Sequence, residues 1–175
     1  MNVRLALFAT AAAVVAATSA SAATVSANAV ANANIVAPAT ITAQRTLEFG
    51  TIAKPTTGTN TITVPSAAPA AVTPAISGGG NAFIPTGGQG RAAQFRLIGA
   101  ANQAIAVSAT SLSFTNQTGN LTNVGPQSPV ATAGTLTQLP AAGSDDFYLG
   151  GRFDISPTTT AQAYTGTLTL AIDFN

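Results

Sequence analysis

A chain of 175 residues with six basic and five acidic side chains, no histidine and no cysteine leaves little room for charge-based recognition or for most catalytic chemistry. Charged residues make up 6% of the chain, against roughly a quarter of an ordinary globular protein. The basic patch that nucleic acids and anionic membrane surfaces require cannot be built from so few charges, so neither is an expected partner. Without His or Cys, most metal sites and nucleophilic dyads are also excluded, and no cofactor is expected.

Residues 1–22 have the pattern of a helical secretory signal peptide. A short start with one charge, Arg4, precedes an apolar run from Leu5 to Ala17. The run of about 13 residues suits a signal peptide and is too short to span a bilayer. Ala20 and Ala22 have the A-x-A spacing of a cleavage site, so cleavage is expected after Ala22, with Ala23 as the alternative position. The competing interpretation is an uncleaved N-terminal anchor. The style of the signal is bacterial and predicts export to the periplasm, the cell surface or the medium, with no stable membrane insertion after cleavage.

The mature chain is rich in strand-forming residues and poor in helical patterns. Runs of Val, Ile, Thr and Phe, often alternating with polar residues, are separated by Gly, Pro, Asn and Ser clusters. They predict an all-β fold: an immunoglobulin-like two-sheet sandwich of about seven to nine antiparallel strands. Without cysteine, core burial and backbone pairing have to hold it. The predicted strands are Ile35–Thr42, Arg45–Ile52, Thr61–Pro65, Ala92–Ile98, Ala104–Phe114, Gly134–Leu139, Asp146–Ile155 and Gly166–Phe174.

The last run, Tyr164–Asn175, alternates without a break. One face holds Leu168, Leu170, Ile172 and Phe174, which predicts a half-buried strand. Chain ends usually fray, so an aromatic residue at the penultimate position indicates that this end is docked into its own domain, a neighbour or a secretion machine. Tyr164, just before Gly166, is expected to fix the start of the strand, with its ring in the core and its hydroxyl at the edge.

The segment after the predicted cleavage site is a candidate donor strand. From Ala23 to Ile35 small apolar residues alternate with polar ones, and only Val30 breaks the pattern. Such small side chains could enter a narrow groove and complete a neighbour's sheet. The alternative is that the alanines continue the composition of the signal, as a linker or as the domain's own first strand. The candidate donor positions are Val25, Ala27, Ala29, Ala31, Ala33 and Ile35.

Three segments are therefore expected: the signal peptide (1–22), an N-terminal extension (23–34) and the β-sandwich domain (35–175). Within the domain, residues 65–91 and 116–133 have the composition of long loops, with a short edge strand at Val72–Ile76. These loops carry a rival hypothesis, in which the protein is a self-contained secreted module that binds a carbohydrate or matrix ligand.

Asp145, Asp146 and Asp154 form the only cluster of carboxylates. A catalytic pair or a calcium site would need them to converge. A turn-capping role is favoured, because Asp145 and Asp146 follow Gly143-Ser144 and, as neighbours in a strand, point to opposite sides. No catalytic, cofactor-binding or metal-ligating residue is predicted.

Three motifs together resemble the bacterial secreted family known as domain of unknown function 4402. They are Leu47–Ile52, the Gly150-Gly151 step (a tight turn or bulge) and the terminal Tyr164–Asn175, and the resemblance spans residues 30–175. It implies a small, secreted all-β domain without known catalytic residues. The alternating termini are more distantly similar to chaperone–usher pilins and spore-coat-U-like proteins, although the cysteine pair of many pilins is missing.

The function predicted from these features is that of an exported, non-enzymatic structural or interaction protein, a fimbria- or coat-like surface subunit. It would assemble by strand addition, with Ala23–Ile35 as donor and the groove beside Leu168–Phe174 as acceptor. The expected partners are further copies of the chain or, as the pilin resemblance implies, a periplasmic chaperone.

Overall fold

The computed structural model describes residues 30, 39–67, 71–115 and 120–174. The chain divides into two units, Met1–Asn34 and Ile35–Asn175, and the strands all belong to the second. The predicted signal peptide and the candidate donor positions Val25, Ala27, Ala29, Ala31, Ala33 and Ile35 lie outside the described residues.

The described residues contain ten β-strands and no helix, and every strand pair is antiparallel. The predicted all-β class is therefore confirmed, with more strands than the seven to nine expected. The strands are β1 (Thr40–Arg45), β2 (Asn60–Val64), β3 (Ala75–Gly78), β4 (Ala93–Ile98), β5 (Ile105–Phe114), β6 (Thr122–Pro126), β7 (Val130–Ala131), β8 (Ser144–Leu149), β9 (Gly151–Ile155) and β10 (Gly166–Phe174).

The strands form three sheets in a sandwich-like arrangement. The first sheet has the order β1-β4-β8-β7, and the second has the order β3-β2-β9-β6. The long strands β5 and β10 pair with each other and form a third, two-stranded sheet, which we call the terminal pair. The prediction of two sheets did not anticipate this separate pair.

Two groups of buried apolar side chains make up the core. Ile62, Leu121, Phe153 and Ile155 form one group, the Phe153 cluster, against which Phe49, Phe114 and Tyr164 pack. Leu97, Ile105, Leu139 and Phe147 form the other, the Leu97 cluster, against which Ala39, Leu170 and Ile172 pack.

The predicted strand Asp146–Ile155 is two strands that belong to different sheets. β8 ends at Leu149 and lies in the first sheet, whereas β9 begins at Gly151 and lies in the second. At the crossing, the Gly150 N–H donates to the Ser66 hydroxyl at 2.8 Å. A side chain on Gly150 would collide with the Val64 carbonyl oxygen, so the close approach of the two segments requires glycine here.

Two predicted strands are wrong. Beyond Arg45, the run to Ile52 makes one reciprocal pair of backbone hydrogen bonds, between Glu48 and Arg91, and Gly50 has a φ of 73° that breaks the extended backbone. The run Gly134–Leu139 folds into a turn in which the Thr135 N–H donates to the Gln138 carbonyl. Threonine side chains that bond to nearby backbone favour turns over strands, and Thr135 Oγ1 accepts from the Thr137 N–H.

The two predicted long loops also contain strands. The edge strand expected at Val72–Ile76 is present as β3, shifted towards the C-terminus, and residues 116–133 include β6 and β7. The strand expected from Ile35 is described from Thr40 onwards. By contrast, β10 has the predicted bounds, Gly166–Phe174.

Candidate functional site

Two edge strands from different sheets border one cleft. β1 is the edge of the first sheet and β10 is one strand of the terminal pair. Ala43 of β1 and Gly166, Thr167 and Leu168 of β10 line the same cleft, which has a volume of about 870 Å³. An opening into the core therefore lies between two strands that each have one neighbour in their sheet.

The other edges of the fold are short or interrupted. β3 has four residues and follows Pro74, β7 has two residues and follows Pro129, and β6 has a register shift and ends at Pro126. The second edge of β5 is partly covered, because the N–H groups of Ile105 and Val107 donate to the 136–137 backbone. Short strands, prolines and bulges are the features that prevent unwanted strand pairing.

β1 and β10 are protected less, although β1 has a register shift between Ala43 and Arg45 and the β10–β5 pair has one at Thr169 and Leu170. They have six and nine residues, contain neither proline nor lysine, and carry their charged residues only near their C-terminal ends. A long edge without proline, such as the nine-residue edge of β10, is a template for a further strand.

Aromatic side chains form the floor of the cleft. The ring centroid of Phe49 lies 4.7 Å from that of Phe153 and 6.1 Å from that of Phe114, and Phe114 and Phe153 meet edge to face at 5.6 Å. Phe95 of β4 also lines the cleft and is partly exposed. The cleft therefore offers a large apolar surface at the level where β1 ends and β10 begins.

Hydrogen bonds hold the wall of the cleft just before β10. The Tyr164 ring meets Phe114 edge to face at 6.2 Å, and the Tyr164 hydroxyl donates to the Thr160 carbonyl at 2.8 Å. Lys54 Nζ donates to the carbonyls of Pro157 and Thr159 at 3.0 and 3.1 Å. The turn between β9 and β10 is thus attached to the body of the domain.

The inward face of β10 is only half covered. Leu168, Leu170 and Ile172 are partly buried and pair with Leu112, Ala109 and Val107 of β5. Phe174, opposite the buried Ile105, is 45% exposed. On β1, Ile41 is 44% exposed although its partner Leu97 is fully buried. Apolar side chains on both edge strands are therefore incompletely covered.

Gly166 begins β10 at a close approach to β5. Its partner in the pair is Phe114, and a side chain at this position would collide with the Ser113 carbonyl oxygen. Together with Tyr164, the candidate C-terminal residues thus form one wall of the cleft and its continuation towards the chain end.

The carboxylates do not form a site. The buried Asp145 carboxylate accepts the N–H groups of Ala133, Gly134 and Asp146 at 2.6–3.2 Å, whereas Asp146 points outward to Arg96 at 3.4 Å. Asp154 accepts the Thr61 hydroxyl at 2.6 Å in the second sheet. Within the described ranges no three acidic, His or Cys side chains come close enough to hold a metal ion. In the same ranges, no helix has the length and apolar character needed to cross a membrane.

The fold and the cleft define a small antiparallel β-domain with an opening between the edge strands β1 and β10. We call this opening, from the cleft to the end of β10, the seam. The chain belongs to the family described as Domain of unknown function (DUF4402), whose model matches residues 39–174. The match covers every described strand and begins one residue before β1, so the alternating extension lies outside it. No curated protein and no solved structure matches the chain, and the more distant resemblance to pilins stays a prediction.

Some residues of the site could be predicted from the sequence, and others could not. The alternation of residues 166–174 was sufficient to find β10. The contribution of Phe49, Phe95 and Phe153 to the same cleft left no local signal, because these residues come from three separate segments that meet only in the folded chain.

Proposed function

We propose that this protein is an exported, non-enzymatic subunit of a surface fibre or coat that assembles by the addition of a β-strand at the seam between β1 and β10. One observation carries the proposal: the edge strands β1 and β10 border the same apolar cleft, and β10 presents a nine-residue edge without proline, while the edges at β3, β6 and β7 are short or interrupted.

An added strand would provide both backbone hydrogen bonds and apolar contacts at the seam. Its backbone would pair with an edge strand, and its side chains would cover the half-exposed Leu168, Leu170, Ile172 and Phe174. Each 100 Å² of apolar surface removed from water contributes roughly 2.5 kcal/mol. Even a few hundred Å² would therefore give a substantial driving force for addition, before the loss of chain entropy is subtracted.

The candidate donor is the alternating segment Ala23–Ile35 of the chain itself. Its apolar face carries mostly alanine, which suits a seam whose floor already holds large side chains. The segment ends a few residues before Thr40, the start of β1, so every copy would carry both a donor and an acceptor. Before assembly, a periplasmic chaperone is the partner proposed to cover the seam.

The rival hypothesis of a loop-based binding module has no comparable support. Residues 65–91 and 116–133 contain β3 and β6, which lie at opposite edges of the second sheet with β2 and β9 between them. Among the described residues, a smaller cleft is lined by residues 126–129 together with β5, and residues 65–91 do not line it.

The proposal is tested with the chain from Ala23 onwards and with a variant that lacks residues 23–33. Light scattering after size exclusion, together with unboiled SDS gels, should show a ladder of assemblies for the first protein and monomers for the second. A synthetic peptide of residues 23–35 should then bind the shortened monomer, whereas a peptide of the same composition with scrambled order should not. A strictly monomeric intact chain at high concentration, unaffected by the deletion, would overturn the proposal.

A further inference from the structure

β1 and β10 run in opposite directions along the two sides of the seam. Ala39, just before β1, packs against the Leu97 cluster, as do Leu170 and Ile172 in the second half of β10. Ala43, later in β1, lines the cleft with Leu168, in the first half of β10. A strand inserted between them is therefore antiparallel to one edge and parallel to the other.

The direction of the inserted strand decides which copy can supply it. Antiparallel strands can be joined by a two-residue turn, whereas parallel strands need a connection of about a dozen residues or more. Only residues 36–39 separate Ile35 from β1. The chain's own extension could therefore enter its own seam only as a hairpin with β1, which would make it parallel to β10.

The sequence of the connection does not favour such a hairpin. Two-residue hairpin turns favour Gly, Asn or Asp at positions with positive φ, and residues 36–39, which are Val, Ala, Pro and Ala, contain none of these. The ring of Pro38 also restricts Ala37 to an extended backbone.

The nine-residue edge of β10 favours the opposite direction. It is longer than β1, so pairing along it forms more hydrogen bonds, and antiparallel pairs are slightly more stable per residue than parallel ones. An extension that is antiparallel to β10 is parallel to β1, and it must then come from another molecule.

On this basis, which rests on the proposed function, we infer that the seam binds residues 23–35 of a second copy, antiparallel to β10, with Ile35 beside Leu168 in the aromatic cleft. In this register Ala33, Ala31 and Ala29 lie beside Leu170, Ile172 and Phe174. The largest side chain of the donor face thus meets the widest part of the seam, and the alanines meet the part where the Leu97 cluster already fills the interior.

The same geometry sets the form of the assembly. Each copy gives its extension to one neighbour and receives an extension from another, which is a head-to-tail contact between different surfaces. Contacts of this kind produce open fibres unless the rotation between copies closes a ring. The inference therefore describes a linear fibre built from one kind of subunit.

Paired cysteines test the direction and the register, because the chain contains no cysteine of its own. Asn34→Cys and Thr169→Cys are predicted to face each other on the outer side of the inserted strand. If the two single variants are unfolded together, refolded and oxidised, a disulfide-linked dimer should form in high yield. The control pair is Ser26→Cys with Thr169→Cys. Its disulfide yield should be at least tenfold lower, whether the two single variants are mixed or both substitutions are placed in one chain.

Each other outcome overturns the inference in a distinguishable way. A disulfide between positions 34 and 169 within one chain of the double variant indicates a hairpin in cis, and a disulfide between positions 26 and 169 of two chains indicates a parallel strand. Assembly of the cysteine-free chain with neither disulfide contradicts the register. If the cysteine-free chain does not assemble at all, the proposed function itself fails.

Discussion

Ala43 of β1 and Leu168 of β10 line one cleft although their strands belong to different sheets. Neither strand has a second neighbour among the described residues, and the apolar faces of both remain partly exposed. The relation between these two residues therefore defines the position at which the proposed strand would be added.

The aromatic floor of the cleft should contribute strongly to stability. Phe153 is 6% exposed and contacts the rings of Phe49 and Phe114, so Phe153→Ala should lower the free energy of unfolding by about 3–5 kcal/mol. Phe83→Ala is the matched control, because Phe83 is 60% exposed and its loss should change stability by no more than about 0.5 kcal/mol. Urea unfolding of the chain lacking residues 23–33 measures both; equal effects would contradict this view of the core.

The two adjacent aspartates should differ sharply when replaced. Asp145→Ala leaves the N–H groups of Ala133, Gly134 and Asp146 without their buried acceptor, which should cost about 2–3 kcal/mol. Asp146→Ala removes only a partly exposed contact with Arg96 and should cost less than about 1 kcal/mol. Thermal unfolding followed by circular dichroism compares them, and a larger loss for Asp146→Ala would refute the assignment.

The crossing between the sheets should depend on glycine. Gly150→Ala places a methyl group against the Val64 carbonyl oxygen and should destabilise the domain by about 2 kcal/mol or more. At Gly79, a new Cβ meets nothing within 4 Å, and Gly79→Ala should be neutral or slightly stabilising. The measurement is the difference in melting temperature between the two variants. Equal melting temperatures would show that the change of sheet between β8 and β9 does not require glycine at position 150.

Local alternation was a sufficient guide to some strands and not to others. It placed β10 correctly, because every second residue from Leu168 to Phe174 is apolar and nothing interrupts the extended backbone. It failed for Leu47–Ile52, whose apolar residues enter the core from an irregular segment that turns at Gly50. Gly150-Gly151 was recognised as a break, but a change of sheet depends on pairing with distant strands. The order of the sheets and the composition of the cleft have the same non-local origin.

The size of the donor side chains should control assembly on one face only. Ala31→Phe would place a large ring beside Ile172, which packs against the Leu97 cluster, and should reduce assembly at least tenfold. Asn32→Phe places the same ring on the opposite, outward face of the extension and should assemble nearly as the unaltered chain does. Sedimentation velocity measures the assembled fraction. Equal behaviour of the two variants would show that the alternation of the extension does not set its packing.

The most direct test of the central claim is hydrogen–deuterium exchange of the β10 amides in the intact mature chain and in the chain that lacks residues 23–33. An added strand would protect the amides of β10 that point away from β5, so peptides covering residues 166–174 should exchange much more slowly in the intact protein. Exchange of β2 and β9, within the second sheet, should be the same in both proteins. Equal exchange of β10 with and without the extension would contradict strand addition at this seam.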